Sequence, residues 1–307
     1  MRIVSLLPST TEILFALGLG DQVVGVTHEC DYPPEAAALA QVTSSALPEP
    51  GNSAQIDRHV RESVHSGSSL YNLDSELLEE LRPDLIITQE LCQVCAVSYE
   101  IVDRAAKRLS SDPRVVSLEP SSLDDVFANI VTIGELTHSQ TAARELVKQL
   151  QSRLHALPDA HPRHATRAHP RTLVLEWTDP PMSGGHWTPG LVEMAGGLPV
   201  LCNPGKNSAV VSWQAILEES PDVVLIAPCG FNLKTTLRAI DDLQATPEFL
   251  QLRAYREGRV YAIDGNAFVN RPGPRLVETA EIFAACIHAG AHDTVGDDRF
   301  VRYLKDA

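Results

Sequence analysis

The sequence predicts an α/β protein of two parallel-sheet lobes, and three observations predict it. The first is a doubling: Glu79 to Thr88 (EELRPDLIIT) and Glu218 to Ala227 (EESPDVVLIA) each carry an acidic helix end, a Pro-Asp step and an apolar run. The second is alternation, with apolar runs of strand length separated by stretches of helical period, the pattern of parallel strands joined by helical crossovers. The third is length: 307 residues is long for one core and ordinary for two lobes of about 120 to 150 residues each. Ligands of open parallel sheets bind beyond the carboxyl ends of the strands. Both matched strands run into cysteine there, Cys92 and Cys95 in one case and Cys229 in the other, which implies two half-sites serving one cleft.

In chain order, Ile3 to Leu7 reads as a buried strand, followed by a helix that Ser9 caps with Glu12 reaching back, ending near Gly18. Gln22 to Val26 is a second strand, delivering His28-Glu29-Cys30-Asp31-Tyr32-Pro33-Pro34, a polar loop too rich in proline to be helical. Val42 to Tyr71 is mostly loop with a short helix near Ile56 to Ser63. Leu73 to Leu81 is helical, Asp84 to Thr88 a strand, Ser98 to Leu109 a helix and Arg114 to Leu118 a strand. Helical period then runs from Leu123 to about Leu157 with a break at Thr137 to Ser139, and the His- and Pro-rich segment Pro158 to Pro170 separates the lobes.

The second lobe restarts the pattern. Thr172 to Glu176 is a strand, Trp177 to Trp187 a long loop, and a helix begins at Pro189 with Thr188 as its cap, closed by Gly196-Gly197. Trp213 to Leu217 is helical, Val223 to Ala227 a strand, Thr235 to Leu243 and Pro247 to Leu252 helices, Arg259 to Ile263 a strand and Pro274 to His288 the last long helix. Gly290 to Ala307 carries no readable period. The expected division is therefore residues 1–122, a connecting helix and linker over 123–170, and residues 171–307.

A hydrophobic content of 44% with 21% charged residues is that of a globular protein, and no run approaches the roughly 18 apolar residues of a membrane helix. A formal charge of −15 repels phosphate backbones and anionic lipid, which argues against nucleic acid and membrane insertion. With a strand starting at Arg2 there is no room for a leader, so the expected location is cytoplasmic, or periplasmic or cell-surface where a leader has been trimmed. In the cytosolic case the six cysteines are mostly thiols.

Cys92-Gln93-Val94-Cys95 places two thiols three positions apart, able to share a metal ion, to form a disulfide, or to stand as plain cysteines. A closed metal site needs further ligands from distant loops, for which His28, Cys30, His186 and Cys229 are the candidates. The loop from Glu176 to Trp187 combines an acid, an imidazole and two indoles, Trp177 and Trp187, with glycines that let backbone approach a ligand; the plainer reading has both indoles covering the core. In Asn270-Arg271-Pro272-Gly273-Pro274-Arg275, helix-start amides and Arg271 or Arg275 can meet a carboxylate, amide or phosphate, or can simply be solvated. His161, His164 and His169 sit among arginines, which oppose cation binding. HExxH, GxSxG and GxGxxG signatures are absent, and Gly205-Lys206-Asn207-Ser208 fails as a phosphate loop because Val200 and Asn207 occupy required positions.

With these residues assembled, RIVSLLPSTTEILFALGLGDQVVGVTHECDYPP, LRPDLII, SPDVVLIAP and NRPGPRLVE together resemble the substrate-binding proteins of the cobalamin and ferric-siderophore uptake class, closest to the cobalamin-binding branch. The resemblance covers nearly the whole chain. It implies the helical-backbone metal-receptor type of fold, two α/β lobes joined by a single long backbone helix. It also implies a corrin ring held by aromatic walls, for which Tyr32, Trp177 and Trp213 are the similar positions, with Arg271 on the ligand side. His186, Trp187 and Phe231 complete the candidate ring-binding set. Transporting relatives present one docking glutamate per lobe to an ABC permease; Glu76 fits the first and Gln214 stands at the second. The functional expectation is a binding protein for cobalamin or a related metal chelate, as transport component or intracellular carrier. The alternatives are a cytosolic enzyme using zinc, iron or cobalt, with Cys92, Cys95, Cys229 and His186 as ligands and Glu176 or Asp179 as base, and a thiol-based redox sensor built on Cys92 and Cys95.

Overall fold

A computed structural model describes residues 1–46, 52–66, 70–89, 99–160, 169–290 and 295–303. The chain divides into two compact units, Met1–Gly51 with Gln55–Pro120 and Asp124–Lys148, and Asn52–Ala54 with Ser121–Leu123 and Gln149–Ala307. The chain is a two-lobe α/β protein with a parallel sheet at the heart of each lobe.

The first stretch of chain runs β1 (Ile3–Ser5), α1 (Pro8–Ala16), β2 (Val23–Val26), β3 (Ala40–Gln41), β4 (Thr43–Ser45), α2 (Ser53–Ser66), β5 (Tyr71–Leu73), α3 (Ser75–Leu81), β6 (Leu85–Thr88), α4 (Tyr99–Ala106), β7 (Arg114–Ser117), α5 (Leu123–Leu136) and α6 (Gln140–Ala160). Its main sheet is wholly parallel, in the order β3-β2-β1-β6-β7. Ile3, Val4, Ile86 and Ile87 have no solvent exposure, as expected of strands covered on both faces.

The second runs β8 (Arg171–Thr178), β9 (Pro181–Ser183), β10 (Gly185–His186), α7 (Thr188–Met194), β11 (Leu198–Pro199), β12 (Asn203–Pro204), β13 (Ala209–Val210), α8 (Trp213–Glu219), β14 (Val223–Ile226), α9 (Leu233–Leu243), α10 (Pro247–Gln251), α11 (Arg253–Arg256), β15 (Val260–Ile263), α12 (Leu276–His288) and β16 (Phe300–Arg302). Strands β8, β14 and β15 are parallel; β9 with β13 on one side and β16 on the other add antiparallel edges. One core gathers Leu173, Leu175, Val224, Ile226, Ile240, Phe249 and Ala262.

The doubled sequence is a doubled structure. Helices α3 and α8 are both capped by a side chain, Asp74 accepting from the Leu77 N–H and Ser212 from the Ala215 N–H, and both stop at a residue in the left-handed region, Arg82 at φ 44° and Ser220 at φ 45°. Proline follows each and cannot continue a helix. The aspartate after each proline then clasps the head of the neighbouring strand. The Arg2 N–H donates to Asp84 Oδ2 at 2.6 Å, its Nε donates to the Leu81 carbonyl at 2.7 Å, and the Asp84 N–H donates to the Arg2 carbonyl at 2.8 Å. In the other unit the Arg171 N–H donates to Asp222 Oδ2 at 2.9 Å, its Nε to the Glu219 carbonyl at 2.9 Å, and the Asp222 N–H to the Arg171 carbonyl at 2.8 Å.

Several elements depart from expectation. Helix α1 begins at Pro8, whose fixed φ suits a first helical position, so Ser9 lies inside the helix and is no cap; the Thr11 hydroxyl instead bonds back to the Leu7 carbonyl. The segment from Val42 to Tyr71, expected as loop with a short helix near Ile56 to Ser63, holds β4, a longer helix of fourteen residues and the start of β5, which pairs antiparallel with β4 and takes Leu73 from the expected helix. The break expected at Thr137 to Ser139 is present: it divides the connecting helix into α5 and α6, with His138 at φ 57°. Trp177 to Trp187 is no loop but a fold-back in which β9 pairs with β8. Helix α7 starts at Thr188 itself, whose hydroxyl caps nothing and donates to Glu176 at 2.6 Å. Residues 300–302, unread in the sequence, form β16 against β15.

Because Asp222 accepts from the part-buried Arg171 amide at 2.9 Å, Asp222→Ala leaves that donor without its partner. A loss of about 1–3 kcal/mol in urea-denaturation stability is expected; an unchanged midpoint would contradict the clasp.

Candidate functional site

The carboxyl ends of β8, β14 and β15 deliver three segments to one edge of the second unit's sheet. Glu176-Trp177-Thr178 closes β8, Ala227 to Phe231 follows β14, and Asp264 to Arg271 follows β15. They are stitched to one another. The Cys229 N–H donates to the Glu176 carbonyl at 3.1 Å, the Asn266 N–H to the Phe231 carbonyl at 3.1 Å, and Asn270 Nδ2 to the Ala227 carbonyl at 3.0 Å. Gly265 is obligatory here, since a Cβ would stand 2.4 Å from the Pro228 carbonyl oxygen.

On this edge the half-buried Trp177 ring lies against Phe231, centroids 5.2 Å apart and tilted by 54°, with the indole N–H donating to the Asp179 carbonyl at 3.1 Å. Cys229 is exposed beside them in sequence. Arg271 and Arg275 are both buried, the Arg275 guanidinium 5.3 Å from the centre of the Phe268 ring. Trp187 behaves differently. It is 8% exposed, its indole N–H donates to the Val269 carbonyl at 2.9 Å, and its ring stacks on His186 at 5.4 Å, which makes it part of the core. Burial holds the His186 imidazole below its usual pKa, and among the described residues its Nδ1 is buried without a partner. Trp213 is half-buried at the head of α8, edge-on to Phe249 at 5.9 Å.

Glu176 holds the surrounding loops. Its carboxylate accepts from the Thr188 and Ser208 hydroxyls. Burial pushes its pKa up, and the two hydroxyls, with the Gly185 backbone nearby, pull it back.

In the first unit the corresponding strand ends carry hydroxyls and a thiol rather than rings. Cys30 is buried with Sγ 3.2 Å from the hydroxyls of both Thr11 and Thr27, and Thr11 donates to Ser5 at 2.9 Å. His28 Nδ1 lies 2.8 Å from the Thr43 hydroxyl, with its ring 5.7 Å from Tyr71. Tyr32 follows them and is 44% exposed.

Of the expected metal ligands, His28 and Cys30 therefore serve neighbouring hydroxyls in the first unit, and Cys229 and His186 belong to the second. Among the described residues no three of His, Cys, Asp and Glu gather as a cation would require. Cys92 and Cys95 lie outside the described residues. Sequence reading named Glu176 and missed its partners: Thr188 and Ser208 are 12 and 32 positions away, and no local pattern marks a hydroxyl that will reach a distant carboxylate.

The sequence model of a family described as "Periplasmic binding protein" matches residues 3–267. Among curated proteins, an uncharacterized ABC transporter substrate-binding lipoprotein of Bacillus subtilis is 26% identical, over 94% of this chain and 80% of its own. A vitamin B12-binding protein of Vibrio cholerae is 23% identical, over 91% of this chain and 86% of its own. Among solved structures, the apo form of a periplasmic heme-binding protein from Roseiflexus sp. RS-1 superposes with a TM-score of 0.69 at 24% identity, covering 94% of this chain and 98% of that one, a likeness of fold.

The two indoles should separate on substitution. Trp187→Phe strands the buried Val269 carbonyl and should cost about 1–3 kcal/mol. Trp177→Phe keeps a ring against Phe231 and should change urea stability by less than about 0.5 kcal/mol. The reverse order would contradict the division between core and edge.

Proposed function

The chain belongs to the periplasmic binding protein family, and we propose that it is the substrate-binding component of an ABC transporter whose cargo is cobalamin or a related metal chelate. The observation that carries this reading is the Trp177–Phe231 pair at the carboxyl edge of β8 and β14. A half-buried indole backed by a second ring offers a flat, apolar face to a large planar ligand at little entropic cost, because both rings are already fixed. The vitamin B12-binding and heme-binding relatives, named for flat metal-carrying rings, support the same cargo class.

Trp177 and Phe231 are assigned to the ring. Arg271 is assigned to the polar groups around the ring's margin. The cargo arrives with its metal already chelated, so the protein's part is to enclose and orient the ring. Glu76 and Gln214 occupy the same second position of the matched helices α3 and α8, both exposed, Gln214 bonded to Glu218 at 3.0 Å. Glu76 is proposed to meet the permease, with Gln214 as its neutral counterpart. Relatives named as a lipoprotein or as periplasmic support a place of action outside the cytoplasmic membrane, and among the described residues no helix is long and apolar enough to cross one.

Titrating the purified protein with cyanocobalamin and separately with hemin, followed by tryptophan fluorescence and visible absorption, tests the reading. Saturable binding of one of them at about 1 μM or tighter is expected, and Trp177→Ala should weaken it about tenfold, the value of one lost aromatic contact. No binding of either chelate at tens of micromolar would overturn the proposal.

A further inference from the structure

Strand β8 is irregular at one point. Leu175 pairs with Ser183 and Trp177 with Met182, so two steps along β8 match one along β9 and Glu176 is the extra residue of a bulge. A bulge bends its strand and re-aims the side chains beside it, and the unpaired residue must be held by something other than the ladder. Here the holding is unusually complete. The Glu176 carbonyl accepts from the Cys229 N–H, and its carboxylate accepts from Thr188 and Ser208, so the first residue of α7 and the 203–210 segment both end on one side chain.

That segment forms a strap over the bulge. The His186 N–H donates to the Lys206 carbonyl at 2.7 Å, the Gly205 N–H to the His186 carbonyl at 3.1 Å, and Asn203 Nδ2 to the Asn207 carbonyl at 2.8 Å. It lies so close that a Cβ on Gly185 would be 2.4 Å from the Lys206 oxygen and 2.5 Å from the Ser208 nitrogen. Its far end joins the sheet as β13, paired with β9.

We propose that Glu176 is a positioning residue for ligand binding: its carboxylate locks the bulge and the 203–210 strap together, and this lock fixes the direction in which Trp177 presents its indole. The ligand half of this inference rests on the chelate-binding reading above; the lock itself does not. Glu176→Gln keeps the size of the side chain and replaces one of the two acceptor oxygens, each of which serves one hydroxyl, with a donor, while Ser208→Ala removes a single partner from the strap.

Two measurements decide it. Without ligand, amide hydrogen exchange at residues 205–210 and 176–178 should rise about tenfold or more in Glu176→Gln and also in Ser208→Ala, with the exchange of β14 and β15 unchanged. Unaltered exchange in both variants overturns the lock. With cyanocobalamin or hemin, whichever the native protein binds, Glu176→Gln should weaken affinity about tenfold, and this loss should largely vanish in a Trp177→Ala background, the coupling expected of one residue acting through the other. Additive losses overturn the positioning role. If the native protein binds neither chelate, the cargo assignment fails, and the exchange measurement still judges the lock.

Discussion

The constraint on which both sheets depend sits at the amino ends of the strands. In each unit an arginine at a strand head and an aspartate after a proline exchange backbone and side-chain hydrogen bonds, Arg2 with Asp84 and Arg171 with Asp222. The arginine Nε meanwhile ties off the carboxyl end of the helix that precedes the aspartate. Parallel strands lack a tight turn to set their register, and this clasp supplies one. It fixes where β1 and β6, and β8 and β14, begin relative to each other, so Ser5 stands level with Ile87 and Leu175 with Ile226 near their carboxyl ends.

What the level ends carry differs between the units. In the first, Ser5, Thr11, Thr27 and Cys30 form a buried chain of hydroxyls and a thiol that secures the loop leading to Tyr32. In the second, backbone stitching and Gly265 bring the β14 and β15 loops into contact, and a bulge at Glu176 sets an indole against Phe231. Rigid backbone with a few fixed rings suits a protein that must enclose a large, stiff ligand, because ordering costs are met on folding rather than on binding. Trp187 and Trp213, chemically alike to Trp177, are held by Val269 and Phe249 and serve the core.

The sequence made the architecture legible because its signals are local and repeated. Apolar runs bounded by Pro-Asp located β6 and β14, and the break in period at Thr137 to Ser139 separated α5 from α6. Features that depend on distant partners stayed hidden. The heads Arg2 and Arg171 look like ordinary surface arginines until Asp84 and Asp222, 82 and 51 positions on, are placed beside them. Strands of two or three residues such as β4, β9 and β13 are too short to show alternation. At the candidate site, Trp177 and Phe231 could be named from residue type alone. A core role was open for both indoles, but nothing in the sequence said which of them would point inward or that Thr188, which has the look of a helix cap, would bind Glu176.

The most direct test is a crystal of the protein grown with cobalamin and measured at the cobalt absorption edge. The account predicts one strong anomalous peak per molecule, with the corrin plane packed against Trp177 and Phe231 at the carboxyl edge of β8 and β14. A corrin bound on another surface, or a cobalt peak with Trp177 and Phe231 bare, would contradict it.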